Sequence, residues 1–229
     1  MMITLSPRLA CIARYVEQGS RVVDVGTDHA YLPIWLLQSG VSPAAFASDV
    51  RQGPLRNAER DAEKYGVRDR LTLLLCDGLA LCPPEDVDTV VLAGMGGETM
   101  MGILDAAPWA LEKRLILQPQ TKKPEFREWL FRRGLYVADA SLVYDTGRIY
   151  LVWKIGAGAE APCGPIDRAL IEKRDPLLKP YTEEQIKRLR KQLQGMEQAR
   201  NADREALERM RADLNELQRI HGEALQWQR

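Results

Sequence analysis

The sequence predicts an α/β protein, a mostly parallel sheet covered by helices on both faces and followed by a helical appendage. Three observations predict it. Through residues 1–155, short β-branched runs alternate with helix-like segments, the pattern of a sheet buried on both sides. The last two strand-like runs have no helix between them. Beyond residue 165 the composition shifts to Glu, Lys, Arg, Gln and Leu at helical spacing.

In chain order, Ser6–Gln18 reads as an amphipathic helix ahead of the first strand, Arg21–Val25. Further strands are expected at Ala44–Asp49, Leu71–Cys76, Thr89–Ala93 and Arg114–Gln118. Helices are expected at Pro33–Ser39, Gly53–Tyr65, Glu98–Ala106 and Pro124–Arg133. Leu135–Ala138 and Ile149–Ile155 then read as a hairpin with its turn near Asp145–Arg148. A parallel sheet closed by an antiparallel last strand fits the class I methyltransferase fold better than a plain dinucleotide-binding fold. The segment GAGAEAPCGP, 156–165, reads as a linker between a domain at 1–155 and a second at 166–229. In the second, Ile186, Leu189, Leu193 and Met196, and then Leu207, Met210, Leu214 and Leu217, have coiled-coil spacing. Arg200 and Asp203 interrupt the seam, so two helices folding back near 198–203 are expected. A continuous helix would run about 68 Å and need a partner chain.

The 229 residues are enough for one core of about 150 residues plus an appendage. No apolar run approaches the roughly 18–20 residues that span a bilayer, and Met1 to Ser6 lacks the marks of a signal peptide. Cys11, Cys76, Cys82 and Cys163 form no CxxC pair and read as reduced thiols, which places the protein in the cytoplasm. His29 and His221 have no cysteine at ligand spacing, so no metal is expected. With 32 basic and 32 acidic residues, the balance excludes nonspecific coating of nucleic acid and leaves local patches open.

In an open parallel sheet, ligands bind beyond the carboxyl ends of the strands. The residues just past each strand therefore carry the chemistry. VVDVGTDHAYLP, Val22–Pro33, places Asp24 before the turn at Gly26, then Thr27, Asp28, His29 and Tyr31. Asp49 ends the second strand, Asp77-Gly78 comes after the third, and Ala93-Gly94-Met95-Gly96-Gly97 after the fourth. Singly, Asp24 reads equally well as a turn cap and Asp49 as a helix cap, and Asp77-Gly78 reads better as a common turn. Together, at successive strand ends, they fit a cofactor that carries an amine and a sulfonium and no phosphate, S-adenosylmethionine. Asp24 suits its methionine end, Asp49 the ribose hydroxyls, Asp77 the adenine amino group, and Leu55 an adenine face. Gly94, Gly96 and Gly97 leave space beside the transferable methyl. The absence of G-x-G-x-x-G counts against a nicotinamide cofactor.

DVGTDHAYLP and AGMGGE, with LILQPQ between the latter and the hairpin, resemble the bacterial tRNA methyltransferases of the TrmK type. That family uses S-adenosylmethionine to methylate N1 of adenine 22 in tRNA. The resemblance spans residues 1–155 and extends to a C-terminal coiled coil. It implies a Rossmann-like class I fold with a seven-stranded, mostly parallel sheet. It also implies a cofactor site at Asp24, Gly26, Asp28, Asp49, Asp77 and Gly78, with AGMGG lining the methyl-transfer pocket. One residue departs from the family pattern: Gln120 stands where Asn is expected, one methylene longer.

Adenine N1 has an in-plane lone pair, so the reaction needs in-line positioning rather than a strong base. Asp28 is the candidate to stabilise the charge that develops on the base. Tyr31 is placed to stack on an extruded adenine or to pack under a helix start, and His29 to position Asp28 or to satisfy backbone groups. The absence of an Asn/Asp-Pro-Pro-Tyr motif after the fourth strand favours a ring nitrogen over an exocyclic amine. For substrate contact, Gly97, Gln118 and Gln120 border the pocket. Lys122, Lys123, Arg127 and Arg133 cluster after the fifth strand with Arg132 and Trp129. Lys187, Arg188, Arg190 and Lys191 lie on the first appendage helix, and Arg8 and Arg14 on the N-terminal helix. Each cluster alone also reads as a solvated helix face. The expected partner is tRNA, with no membrane and no obligate protein partner, and the protein is expected to be a monomer. A small-molecule methyltransferase and a noncatalytic cofactor-binding protein are the alternatives.

Overall fold

The computed structural model describes residues 2–158, 161, 164–198 and 203–227. Its sheet holds seven strands: β1 Val22–Val25, β2 Ala45–Asp49, β3 Leu71–Leu75, β4 Thr89–Met95, β5 Arg114–Pro119, β6 Leu135–Asp145 and β7 Arg148–Ala157. The spatial order is β3-β2-β1-β4-β5-β7-β6. Neighbours among β1 to β5 pair parallel, whereas β7 runs antiparallel to β5 and to β6. The order reverses between β1 and β4, so their carboxyl ends form the crevice where such sheets bind ligands.

Val22, Val23 and Val25 of β1 and Val90, Val91 and Leu92 of β4 are buried, as central strands covered on both faces require. Helices α1 Pro7–Ala13, α2 Tyr31–Gln38, α3 Gln52–Lys64, α4 Gly97–Ala106 and α5 Lys123–Phe131 supply the cover. Helix α1 is shorter than the expected Ser6–Gln18. Ser6 caps it by accepting from the Leu9 N–H, and the chain leaves the helix after Ala13. The hairpin turn lies at Thr146–Gly147, both with positive φ (46° and 81°), as a two-residue turn between twisted strands demands. Strand β6 is far longer than the expected Leu135–Ala138. An irregularity between Val137 and Asp139 shifts its register and breaks the alternation that marks a strand in the sequence.

After β7 the chain forms α6 Arg168–Glu172, α7 Leu178–Glu197 and α8 Arg204–Trp227. Helix α6 was not anticipated. Residues 159, 160, 162 and 163 of the expected linker and 199–202 of the expected turn lie outside the described residues. Helices α7 and α8 pack antiparallel: Thr182 hydrogen-bonds His221 near the root, and Arg211 pairs with Glu197 near the tip. Leu178, Tyr181, Ile186, Leu217, Ile220 and Ala224 are buried in the same apolar cluster as Trp153 and Leu117 of the sheet. Towards the tip, Leu193, Met196, Leu207 and Met210 are only half-buried. The root of the hairpin thus shares the core of the sheet while its tip projects. Among the described residues no helix is long and apolar enough to cross a membrane.

A buried ion pair joins the two parts. Arg127 of α5 donates twice to Asp167, at 2.8 and 3.0 Å, and the Trp153 indole donates to the same carboxylate at 2.8 Å. Arg127 and Asp167 are 8% and 7% exposed. This corrects the expectation that Arg127 meets RNA: its charge is neutralised inside the protein. Replacing Arg127 by Ala would strand Asp167 without its partner, so Arg127→Ala is expected to lower stability by about 3–5 kcal/mol, read by urea denaturation.

Candidate active site

The strand-end turns meet on one edge of the sheet and are tied together by Ser48, which is fully buried. Its carbonyl accepts from the N–H groups of Gly26 (2.8 Å) and Thr27 (3.2 Å). Its hydroxyl donates to the Gly78 carbonyl at 2.8 Å, and the Cys76 N–H donates to the Asp49 carbonyl. The turns after β1, β2 and β3 therefore hold fixed positions.

In the β1 turn, Gly26 has φ +74°, and a Cβ there would lie 2.3 Å from the Met95 methyl. The positive φ favours glycine here, and any larger residue would also have to displace the end of the Met95 side chain. The Thr27 hydroxyl accepts from the Ala30 N–H at 3.0 Å and hydrogen-bonds Asp24. Ala30 adopts a left-handed conformation, φ 52°, and α2 starts at Tyr31, two residues before the expected Pro33. Asp24 is raised from its ordinary value of 3.8 to about 6, chiefly by burial, against the Thr27 hydrogen bond and the charge of Arg8.

His29 sits between two carboxylates. Its Nδ1 is 2.7 Å from Asp61 of α3, and its Nε2 is 3.7 Å from Asp28. The Asp28 side chain is 74% exposed, open to a partner from outside. The Tyr31 ring stacks on His29, centroids 4.9 Å apart and planes 24° apart. One face of Tyr31 is therefore already occupied, and the residue is 38% exposed.

On the other side of the crevice, β4 bulges between Ala93 and Met95, with Gly94 at φ +79°. Gly97 opens α4 so tightly against the next turn that a Cβ would lie 2.8 Å from the Thr121 carbonyl. Gly96 and Gln120 line the same turn, whose Gln120 N–H donates to the Met95 carbonyl at 2.8 Å.

Asp49 and Leu55 are each 7% exposed. Asp49 accepts from the Arg51 N–H at 2.8 Å, and Leu55 lies in the first turns of α3. Asp77 is exposed beside buried Gly78. Gln118, expected to face substrate, is 1% exposed and instead accepts from Arg8 Nη1 at 3.0 Å.

Arg8 is a site residue that the sequence pattern placed only on an RNA-facing helix. Its guanidinium lies over the Tyr150 ring, 5.5 Å from the centroid, and 3.4 Å from where a Gly94 Cβ would be. Asp145 anchors its backbone N–H at 3.2 Å. Asp61 and Ser48 were missed as well.

The expected RNA-facing cations are mostly engaged. Lys122 pairs with Glu125 and Glu98. Arg133 pairs with Asp105 and covers Trp129 at 3.7 Å, and Arg132 pairs with Glu128. On α7, Lys187 pairs with Glu183 and Arg188 with Glu184. Such exposed pairs hold weakly and can exchange for phosphate. Arg190 and Lys191 are exposed on the same helix.

Residues 5–153 match the family model described as "Methyltransferase domain". The chain is 34% identical over 158 residues to the tRNA (adenine(22)-N(1))-methyltransferase of Bacillus subtilis, covering 68% of this chain and 66%, just under two thirds, of that protein. The crystal structure of the B. subtilis m1A22 tRNA methyltransferase TrmK superposes with a TM-score of 0.82 at 25% identity, covering 95% of this chain and 99% of that one. Streptococcus pneumoniae Sp1610, solved in complex with S-adenosyl-L-methionine, gives a TM-score of 0.83 at 27% identity, covering 95% of this chain and 100% of the other.

Ser48→Ala would leave the buried Gly78 carbonyl dependent on the weak Cys76 thiol donor, at 3.6 Å. We expect a loss of about 1–3 kcal/mol in urea denaturation, accompanied by weaker ligand binding in the crevice as the β3 turn loosens.

Proposed function

The chain belongs to the methyltransferase-domain family, and we propose on that premise that it transfers a methyl group from S-adenosyl-L-methionine to N1 of adenine 22 in tRNA. The observation that carries the reading is the convergence of two turns at the β1–β4 crevice. One brings Asp24, Asp28, His29 and Tyr31, the other the glycines that follow β4. The curated B. subtilis relative supports the choice of substrate.

The donor set fits the cofactor. Its methionine end is a zwitterion, and at the β1 end of the crevice stand the enclosed carboxylate of Asp24 and the guanidinium of Arg8. Asp24 takes the ammonium and Arg8 the carboxylate. Asp49 takes the ribose hydroxyls, Asp77 and the Gly78 turn the adenine, and Leu55 packs against the ring. Ala93, Gly94, Met95 and Gly96 border the sulfonium end. When bound, the cofactor supplies an electron-poor methyl on sulfur.

The chain's own residues then act by placement. The N1 lone pair forms the new N–C bond while the S–C bond breaks, leaving a neutral thioether and a cationic base. No proton leaves N1, so no strong base is needed. Asp28 faces the base and stabilises the new charge. His29, held by Asp61, stands behind Asp28, its Nε2 3.7 Å away. Tyr31 presents its free side to the extruded adenine, and Gly97 and Gln120 border it. Gln118 acts through Arg8. Lys122, Lys123, Arg133 and the α7 cations Lys187, Arg188, Arg190 and Lys191 meet the RNA backbone. The hairpin packs within one chain, which supports a monomer, and a tRNA substrate fits a cytoplasmic enzyme.

Incubation of the protein with tRNA and labelled cofactor should yield 1-methyladenosine at position 22; label found only in a small molecule would sink the reading. Asp28→Asn should lower kcat by about 10²-fold or more while S-adenosylhomocysteine still binds. The pH dependence follows from Asp24. Its pKa in the free protein is about 6, and a bound ammonium favours its ionised form. Affinity for S-adenosylhomocysteine should therefore be level above pH 7 and fall as pH drops through 6, towards about tenfold per unit. Asp24→Asn should flatten that profile in calorimetric titration.

A further inference from the structure

Between the head of α5 and the root of the helical hairpin lies a cleft of about 470 Å³. Lys123 stands on one wall; Gln185, Arg188 and Leu189 of α7 and Asp213 of α8 form the other, with Tyr181 also lining it. The volume is in the range that holds small organic ligands.

The cleft has a cationic corner. Lys123 has no hydrogen bond or ion pair among the described residues. Burial pushes its ammonium below the ordinary lysine range, and among neighbouring charges the guanidiniums of Arg188 and Arg127 act on it more strongly than Glu184 and Asp167. Arg127 is neutralised by Asp167, while among the described residues Arg188 pairs with an exposed neighbour, Glu184. An ammonium so placed is matched by an anion from outside. Leu189 and Leu217 supply apolar surface beside it, and Asp213 and Gln185 supply hydrogen-bonding edges. Charge, apolar surface and polar edge together are the chemistry of a nucleotide.

The cleft also adjoins the methyl-transfer pocket. Gln120 and Thr121 line the cleft. A Cβ on Gly94 would lie 3.9 Å from Gln120 Nε2, and one on Gly96 3.0 Å from Thr121 Oγ1. One turn thus forms the partition between the two spaces.

We propose that this cleft binds a nucleotide of the tRNA adjacent to the methylated adenine, its phosphate on Lys123 and Arg188 and its base against Leu189 and the edge of Asp213. The inference rests on the tRNA reading above. It makes the helical hairpin one jaw of a clamp on the substrate strand, beyond a distant grip on the folded RNA.

The test is tRNA affinity as a function of salt for the full chain. Lys123→Met should weaken tRNA binding three- to tenfold and reduce the slope of log Kd against log salt by about 0.7–0.9, the share of one phosphate contact. Lys123→Arg should restore the slope. Affinity for S-adenosylhomocysteine should stay unchanged in both, which separates a lost RNA contact from a disturbed fold. If the wild-type protein methylates tRNA and Lys123→Met keeps the wild-type slope, the cleft proposal falls and the function stands. If the wild-type protein neither binds nor methylates tRNA, both fall.

Discussion

Everything at the crevice depends on three turns keeping a fixed spacing, and one serine sets that spacing. Strands β1, β2 and β3 end side by side, and the backbone that leaves them has lost the partners that a sheet provides. Buried N–H and C=O groups must be satisfied elsewhere. Ser48 does this for two turns at once, accepting from Gly26 and Thr27 and donating to Gly78. Because Ser48 lies at the end of β2, next to Asp49, the acids flanking it inherit its position. Asp24 lies one residue before the last of β1, and Asp77 precedes the glycine whose carbonyl Ser48 holds. A slip in any one turn would move all three carboxylates relative to each other.

A second constraint sets the relation of the hairpin to the sheet. The Arg127–Asp167 pair is buried, and Trp153 shares its carboxylate. Burying such a pair is costly, and a well-packed apolar replacement is often as stable. What the pair adds is direction: two parallel hydrogen bonds fix the angle at which the chain leaves Asp167 for α6. That angle carries through to α7, whose root is buried with the sheet, and so places Arg188 and Gln185 opposite Lys123. The half-buried tip of the hairpin has no comparable anchor, so any freedom of motion should grow from root to tip.

The strands were legible because hydrophobic alternation and turn residues are local signals. The acids at strand ends were legible for the same reason, each standing at the end of its own run. Three site residues were not. Ser48 looks like one small polar residue in a strand; its role is a bond to Gly78, thirty positions away. Asp61 looks like a charge on the surface of α3 and is in fact buried against His29. Arg8 reads as a solvated cation until its guanidinium is seen to reach Gln118 and the Gly94 turn. Arg127 fails in the opposite direction. Its neighbours Arg132 and Arg133 are surface charges, and nothing local marks it as the one that turns inward, since its partner lies beyond β7. The early start of α2 was hidden by Ala30, which takes up a left-handed conformation more often found at glycine or asparagine.

The proposed reaction moves a positive charge, and the crevice has a carboxylate near each end of the move. In the proposed reading the charge starts on sulfur, next to the ammonium that Asp24 would hold, and ends on the base that Asp28 would face. Burial holds Asp24 partly protonated in the free protein near pH 6, so a cation arriving there draws out the proton and gains a full counter-charge. Once the sulfonium becomes a thioether, one of the two cationic groups at that end is gone and the attraction weakens. Asp28 is exposed to water, open to a base that would arrive from outside. Under the proposed reading the two acids, only four residues apart, differ in burial as their partners differ: Asp24 is enclosed where the cofactor's ammonium would sit, and Asp28 is open on the side from which a base would arrive.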